Sequence, residues 1–476
     1  MKIFKTLLLI LLSVAVIISP FAIVFSIAVA SPPCYQNTFV GALGNKFERL
    51  NSIEEKKIVI IGGSSAAFGI DSELIEKYLG MPVVNFGLYA SLGTKLMLDL
   101  SRSAINDGDI VIVAPELDAQ TLSLYFNSET ALQAMDGNFG MLRYVGSDNI
   151  FSVLSGMWKF AIAKQSYKKT DIPNPDGVYN SNNFNEYGDL EYPRDSNIMS
   201  LYYDPNVMIN PDPAVLSAEF TEYLNDYTEF CKRRGAEVYY SYAPMNELGF
   251  DGGYDESALI DFADYLKSEI DAPVISNIDD YVYDAGYFYD TNFHLNDSGV
   301  RVHTVNLIKD LLLELGIPTF VDEKIPQAPD LPFFDVRWYG EDENAKFFEL
   351  EKMENGAYRI TGLSELGKTV KTLTLPLGYD GYMVMSVGKG AFSGGAVEKI
   401  VLPEESNIKN FESSSFAGAS HVSELWIYYP TAEDILPPPD FVGVSGDFVV
   451  HVPEGSSYDF DYYWSERNLT FVKDAN

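Results

Sequence analysis

Cysteine is almost missing from this chain. Only Cys34 and Cys231 occur in 476 residues, too few for a thiolate zinc site or a disulfide-stapled scaffold, so one long-range bridge or two free thiols are the options. Histidine is equally scarce. There are four, and only His294 and His303 precede the C-terminal third. No metal-ligand cluster, phosphate loop with its lysine or complete G-x-G-x-x-G is present, so neither a metal nor a cofactor is expected. Positive charge is the third deficit: 33 Lys and Arg stand against 68 Asp and Glu, a net charge of −35. Nucleic acid and anionic lipid surfaces therefore make poor partners for the bulk of the chain, since both call for a cationic face.

One long apolar run is present. Lys2 and Lys5 precede Thr6 to Ala30, where no side chain is ionisable. That exceeds a signal-peptide core and matches the ~20 residues that span a bilayer. An uncleaved anchor with the lysines inside is the preferred reading, although Ala28-Val29-Ala30 also resembles a cleavage site. Either way the remainder is expected outside the cytoplasm, at the cell membrane or secreted.

From residue 55 onward, strands and helices alternate. Ile58-Val59-Ile60-Ile61 is a buried strand ending at Gly62-Gly63, and Ser72 to Leu79 is an amphipathic helix. A short strand ending in a Gly-containing turn follows within 81–93, then strands at 109–116, 237–242 and 273–275, with helices at 94–106, 213–234, 257–269 and 299–315. This pattern predicts an α/β domain over residues 31–316 with a parallel sheet and right-handed crossovers. Residues 120–210 break the rhythm. Their Tyr, Asn, Ser and Asp content reads as an insertion over the sheet edge that shapes a cleft, with most of its aromatics forming a local core.

A hydroxyl at a strand-to-helix turn sits at the carboxyl edge of such a sheet, where ligands bind. Ser64 is therefore the candidate nucleophile. Gly62-Gly63-Ser64 is no G-x-S-x-G elbow, so the chemistry rests on what lies downstream. With so few histidines, a serine hydrolase has almost no choice of base, and His294 follows Asp290 by four residues just before the closing helix.

These residues resemble the SGNH, or GDSL-type, hydrolases across roughly residues 55 to 315. Gly62-Gly63-Ser64 matches that family's first block, Gly87 the second, Glu116 the third and Asp290 to His294 the last. The resemblance implies a flavodoxin-like sheet and an esterase or O-acyltransferase acting on acyl esters of cell-surface glycans. It assigns Ser64 as nucleophile, His294 as base and Asp290 as orienting acid. Three departures stand out. Gly63 replaces the usual Asp, Thr291 occupies the usual slot of the acid, and Glu116 replaces an oxyanion-binding Asn. An ionised Glu116 opposes an oxyanion. Either Asn85 supplies the amide, or the backbone N–H groups of Ser64 and Gly87 suffice, or catalysis has been lost. The alternative function is a silent surface protein.

A Pro-rich linker is expected at 317–334, and beyond it, over 335–476, short strands end in Pro376, Pro403, Pro430 and Pro453. Ala391-Phe392-Ser393-Gly394 and Ser415-Phe416-Ala417-Gly418 also repeat. The spacing resembles the BspA-like leucine-rich repeats of bacterial surface proteins, implying a small solenoid. It either binds a protein or glycan partner or steadies the α/β domain. His421 and His451 within it are expected to be structural.

Overall fold

The structure, a computed structural model, describes residues 2–475 except 168–171, 341, 413, 433–434, 436–437, 459–463 and 465–468. The first helix, α1 (Lys2–Ala30), carries Pro20 internally. Among the described residues, no helix is long and apolar enough to cross a membrane. The anchor expected over 1–30 falls in large part on side chains 2–11, 14, 17 and 21, which lie outside those described.

After α2 (Leu43–Ser52), the expected alternation follows: β1 (Ile58–Ile61), α3 (Ser64–Gly69), α4 (Ser72–Leu79), β2 (Val83–Asn85), α5 (Thr94–Ser101) and β3 (Ile110–Val113). The insertion contributes α6 (Ser128–Ala134) and α7 (Ile150–Tyr167). Then come α8 (Ala218–Arg233), β4 (Glu237–Tyr240), a two-residue parallel pair β5 (Met245–Asn246) and β6 (Val282–Tyr283), α9 (Glu256–Glu269) and α10 (Asp297–Glu314). The helix expected to start at Pro213 starts at Ala218, because Ser217 caps it by accepting from the Phe220 N–H. A separate 3₁₀ turn holds Pro213 to Val215.

The main sheet is parallel throughout, in the order β2-β1-β3-β4, with Ile58 beside Val83 and Ile110, and Ile110 beside Glu237. The strand expected at 273–275 contributes one parallel bridge, Tyr240 to Val274; Pro273 has no N–H to extend the ladder. Alternate residues of each strand bury on opposite faces. Val59, Ile61, Val111 and Val113 pack with α2, α5, α8 and α9. Ile58, Ile60, Ile110 and Ile112 pack with α4 and α10. Covering both faces is why these strands read as unbroken apolar runs. The chain leaves β1 for β2 on one side and β3 on the other, so the switch point opens at the carboxyl ends of β1 and β3.

Residues 317–334 form no regular element, yet they are no free spacer. Tyr287 and Tyr202 donate to the Pro326 and Pro332 carbonyls at 2.9 Å each, and Glu323 pairs with Lys77 and Arg301. Beyond them, β7 (Phe348–Lys352) and β8 (Tyr358–Leu363) pair antiparallel. A parallel ladder is built from β9 (Thr372–Thr374), β12 (Lys399–Leu402), β14 (Glu424–Ile427), β15 (Val449–Val452) and β16 (Thr470–Lys473). Between them, β10 (Gly378–Tyr379), β11 (Tyr382–Val387) and β13 (Asn410–Phe411) extend the sheet of β7 and β8. Leu373, Ile400, Leu425, Val450 and Phe471 stand in register across the ladder. This unit is tied to the α/β domain: Tyr203 donates to Glu412 at 2.8 Å, Lys389 meets Asp251 at 2.9 Å, and Asn355 donates to the Ser200 carbonyl at 2.7 Å.

Candidate active site

Ser64 opens α3 directly after β1, with Gly63 as the preceding cap residue. At the first helical position its N–H has no acceptor within the helix. Ser64 lines a cavity of about 830 Å³ together with Glu116, Asp118, Tyr179, Met208, Phe293 and His294. Ser65 is 1 % exposed and borders a much smaller void behind the helix with Ile60 and His303. The structure thus separates two serines that the sequence alone leaves adjacent.

His294 reaches the same cavity from the loop before α10. Its Nδ1 lies 2.8 Å from Asp290 Oδ1. The four-residue spacing works because this loop folds back on itself: Tyr289 N–H donates to the His294 carbonyl, and Phe288 bridges Leu295. Thr291, in the slot where the resemblance would place the acid, has another task. Its Oγ1 accepts from the N–H groups of Phe293 and His294 and closes the turn. The ring stacks on Phe68, with centroids 3.8 Å apart and planes 7° from parallel. Phe68 belongs to the same short helix as Ser64, so α3 both carries Ser64 and positions the His294 ring. With Nδ1 on Asp290, Nε2 is the nitrogen left for the hydroxyl. Ser64 and His294 share the cavity without a direct hydrogen bond between their side chains.

Tyr179, from the insertion, donates to Asp290 Oδ2 at 2.6 Å. Burial disfavours a charged Asp290, but the His294 charge and the hydrogen bonds from His294 and Tyr179 outweigh it and hold the carboxyl below its ordinary range. Burial, reinforced by Asp290, pushes the Tyr179 phenol upward, so it stays a donor. Nothing in the sequence marked Tyr179. It was one of many aromatics assigned to a local core. His303, the other early histidine, is no rival. It is buried against Tyr281 and Tyr283, and burial lowers its pKa to about 3.

The expected oxyanion donors are committed elsewhere. Asn85 donates to the Ala66 carbonyl and to Asp189, and its Oδ1 accepts the Gly87 N–H at 3.1 Å. Asn85 is fully buried, and the cavity does not include it. The side chain therefore ties β2 to α3 and to the insertion, and Gly87 supplies clearance: a Cβ there would lie 2.4 Å from the Ala66 methyl.

Glu116 takes an unexpected place. Its Oε1 accepts the Ser65 N–H at 2.9 Å, while Oε2 is buried and without a hydrogen-bond partner. A Cβ on Gly63 would stand 2.3 Å from both of its oxygens. The small residue at 63 and the carboxyl at 116 are therefore sterically linked. The carboxyl arrives from the end of β3 and fills the space that a side chain on residue 63 would occupy. Burial raises the Glu116 pKa, against the lowering effects of the Ser65 hydrogen bonds and His294.

Cys34 and Cys231 are both buried and form no disulfide, so that option is not taken. Burial raises the Cys231 thiol to about 11. Among the described residues, no cluster of His, Cys, Asp and Glu could hold a metal ion. No family model, curated protein or solved structure matches the chain.

Proposed function

We propose that this protein is a membrane-anchored, extracytoplasmic serine esterase or O-acyltransferase of the SGNH type, acting on acyl esters of cell-surface glycans. The observation that carries the reading is the convergence of Ser64 and the Asp290-oriented His294 on one cavity at the sheet's switch point. Ser64 Oγ attacks the ester carbonyl and passes its proton to His294 Nε2. The tetrahedral oxyanion collapses as the imidazolium returns that proton to the departing alcohol, leaving an acyl-serine. Water or a sugar hydroxyl then attacks the acyl carbon as His294 accepts its proton, and collapse breaks the acyl–Ser64 bond while the imidazolium returns the proton to Ser64 Oγ.

The oxyanion requires donors. The Ser64 N–H is one. Protonated Glu116 is the second, its O–H at the buried Oε2. A carboxyl kept neutral by its surroundings can serve in this way, and the exchange of Glu116 for Asn then preserves a donor. Asp290 and Tyr179 fix the imidazole tautomer. The parallel ladder is read as a short leucine-rich-repeat solenoid. Its hydrogen bonds to the α/β domain favour a steadying role, with any protein or glycan ligand bound at its outer surface.

The silent alternative draws on one fact, that Gly87 and Asn85 do not face the cavity. A fluorophosphonate probe separates the two readings. Labelling of the wild type that vanishes in Ser64→Ala and persists in Ser65→Ala is expected. Absence of labelling in every form leaves the silent protein.

A further inference from the structure

In a chain with 68 acidic residues, the described helices of eight residues or more divide unevenly. Every one carries Asp or Glu except α1 and α7. Those two pack on each other. Met157, Phe160 and Ala161 of α7 bury against Ala28, Cys34 and Tyr35, with Val24 and Phe25 alongside. Lys164 locks the junction, donating to the Ala28 and Ser31 carbonyls at 3.0 and 3.1 Å and pairing with Asp136.

Beside this contact α7 carries an uncovered stripe that is mostly apolar, with Gln165 exposed in the same sector and Ala161 buried at its margin. Phe151 is 83 % exposed, Ile162 58 %, Trp158 52 %, Ile150 48 % and Leu154 42 %. At 100° per residue these five positions occupy one third of the helix circumference. Ser155 and Lys159 follow on the adjoining sector, also exposed. Apolar side chains of α1 are uncovered too: Val16, Ile23, Ile27 and Val29 are exposed.

We propose that α7 is a second membrane element, lying in the lipid interface with Phe151, Leu154, Trp158 and Ile162 among the acyl chains, beside α1. The inference rests on the anchored reading of α1. Three observations favour lipid over a protein partner. The stripe belongs to a helix that packs directly on α1, whose own Val16, Ile23, Ile27 and Val29 are exposed. Both helices lack negative charge in an otherwise acidic chain, which removes repulsion from anionic headgroups. Trp158, half exposed within the stripe, has the amphipathic ring that suits the headgroup boundary, and Lys159, 100° further round the helix, is an exposed cation on the adjoining sector. The arrangement also places the cavity. Thr38, Phe39 and Val40 line it, and the short segment from the end of α1 spans at most ~27 Å even when extended. Ser64 therefore works close to the membrane surface, where glycan acyl esters or their lipid-linked precursors are met.

The test uses the full-length protein in vesicles of phosphatidylcholine and phosphatidylglycerol. Nitroxide labels go on Phe151→Cys, Trp158→Cys, Ser155→Cys and, as an aqueous reference, Ser268→Cys. The buried Cys34 and Cys231 are controlled with unsubstituted protein. Expected is a several-fold higher ratio of oxygen to nickel-chelate accessibility at 151 and 158 than at 155 and 268. Protein that pellets with vesicles while residue 151 behaves like residue 268 overturns the proposal and leaves the anchor standing. Spin–spin broadening at 151 shows a second copy covering the stripe and also overturns it. Protein that stays in the supernatant removes the anchored reading and this inference with it. None of these outcomes depends on Ser64 chemistry, which the fluorophosphonate probe reads separately.

Discussion

Glu116 gives the sharpest test of the proposed chemistry, because a protonated donor and an ionised acceptor make opposite demands on pH. Loss of one oxyanion donor costs ~10²–10³ in kcat, about 3–4 kcal/mol. Glu116→Ala removes the donor and is expected to fall by that factor. Glu116→Gln keeps the shape, leaves an amide oxygen for the Ser65 N–H now at 2.9 Å, and presents a permanent N–H donor where Oε2 stands. Its kcat is expected within about threefold of wild type where Glu116 is protonated, since the donor count is unchanged.

The pH profile supplies the second half. Burial raises the Glu116 pKa, so wild-type activity should fall on the alkaline side as the proton leaves and a buried carboxylate confronts the oxyanion. Glu116→Gln has no proton of this kind to lose, and its alkaline limb should flatten. The assay is hydrolysis of a chromogenic acetyl ester from about pH 5 to 9, with Ser64→Ala as the blank. Two results refute the reasoning: a Gln variant as slow as the Ala variant at every pH, or an alkaline limb unchanged by the substitution. Either one means that the carboxylate works only as an acceptor for the Ser65 N–H.

Other outcomes follow from the same geometry. Gly63→Asp should destabilise strongly, because its Cβ would meet the Glu116 oxygens at 2.3 Å. Adding Glu116→Asn should recover most of that loss, a coupling that a double-mutant cycle in urea would read as ~1–3 kcal/mol. Tyr179→Phe removes the donor to Asp290 Oδ2 and should lower kcat several-fold with KM nearly unchanged, while His294→Ala should abolish probe labelling. Asp109 and Lys57 form a fully buried ion pair at 2.9 Å, so Asp109→Ala should cost ~3–5 kcal/mol in chemical denaturation by stranding the lysine. His303, with its pKa lowered to about 3, stays neutral in the folded state. The unfolded chain binds a proton there below about pH 6.5, so stability present above that value is lost as pH falls toward 3. The loss amounts to roughly 4–5 kcal/mol at ~1.4 per unit, and His303→Phe should flatten the slope.

The sheet was legible because burial on both faces leaves a continuous β-branched signature. Ile58 to Ile61 and Ile110 to Val113 are strands for the same reason they are visible in the sequence. Legibility faded where tertiary contacts replaced local pattern. Pro273 reduced one strand to a single bridge, and residues 317–334 have the proline content of a spacer but are bound by Tyr202, Tyr287 and Glu323. At the site, scarcity and order pointed to Ser64 and His294, which do line one cavity, and proximity pointed to Asp290, which does meet the His294 ring. The oxyanion side could not be read in this way. Asn85 and Gly87 have the right residue types in the right block, yet which way an amide points depends on Asp189, brought in from the insertion.

The exchange between residues 63 and 116 shows why residue-by-residue comparison misjudges this site. Taken singly, Gly63 looks like a harmless loss and Glu116 like a fatal gain. In space they are one change, because the carboxyl needs the volume that glycine vacates and the Ser65 N–H needs a carboxyl to accept it. What differs from the family pattern is the backbone from which the group is delivered, a strand end in place of the turn. A group anchored on β3 is surrounded by the sheet's buried edge, and that burial favours the protonated form. The burial that comes with this position acts against the charge that the carboxyl would otherwise bring to the site.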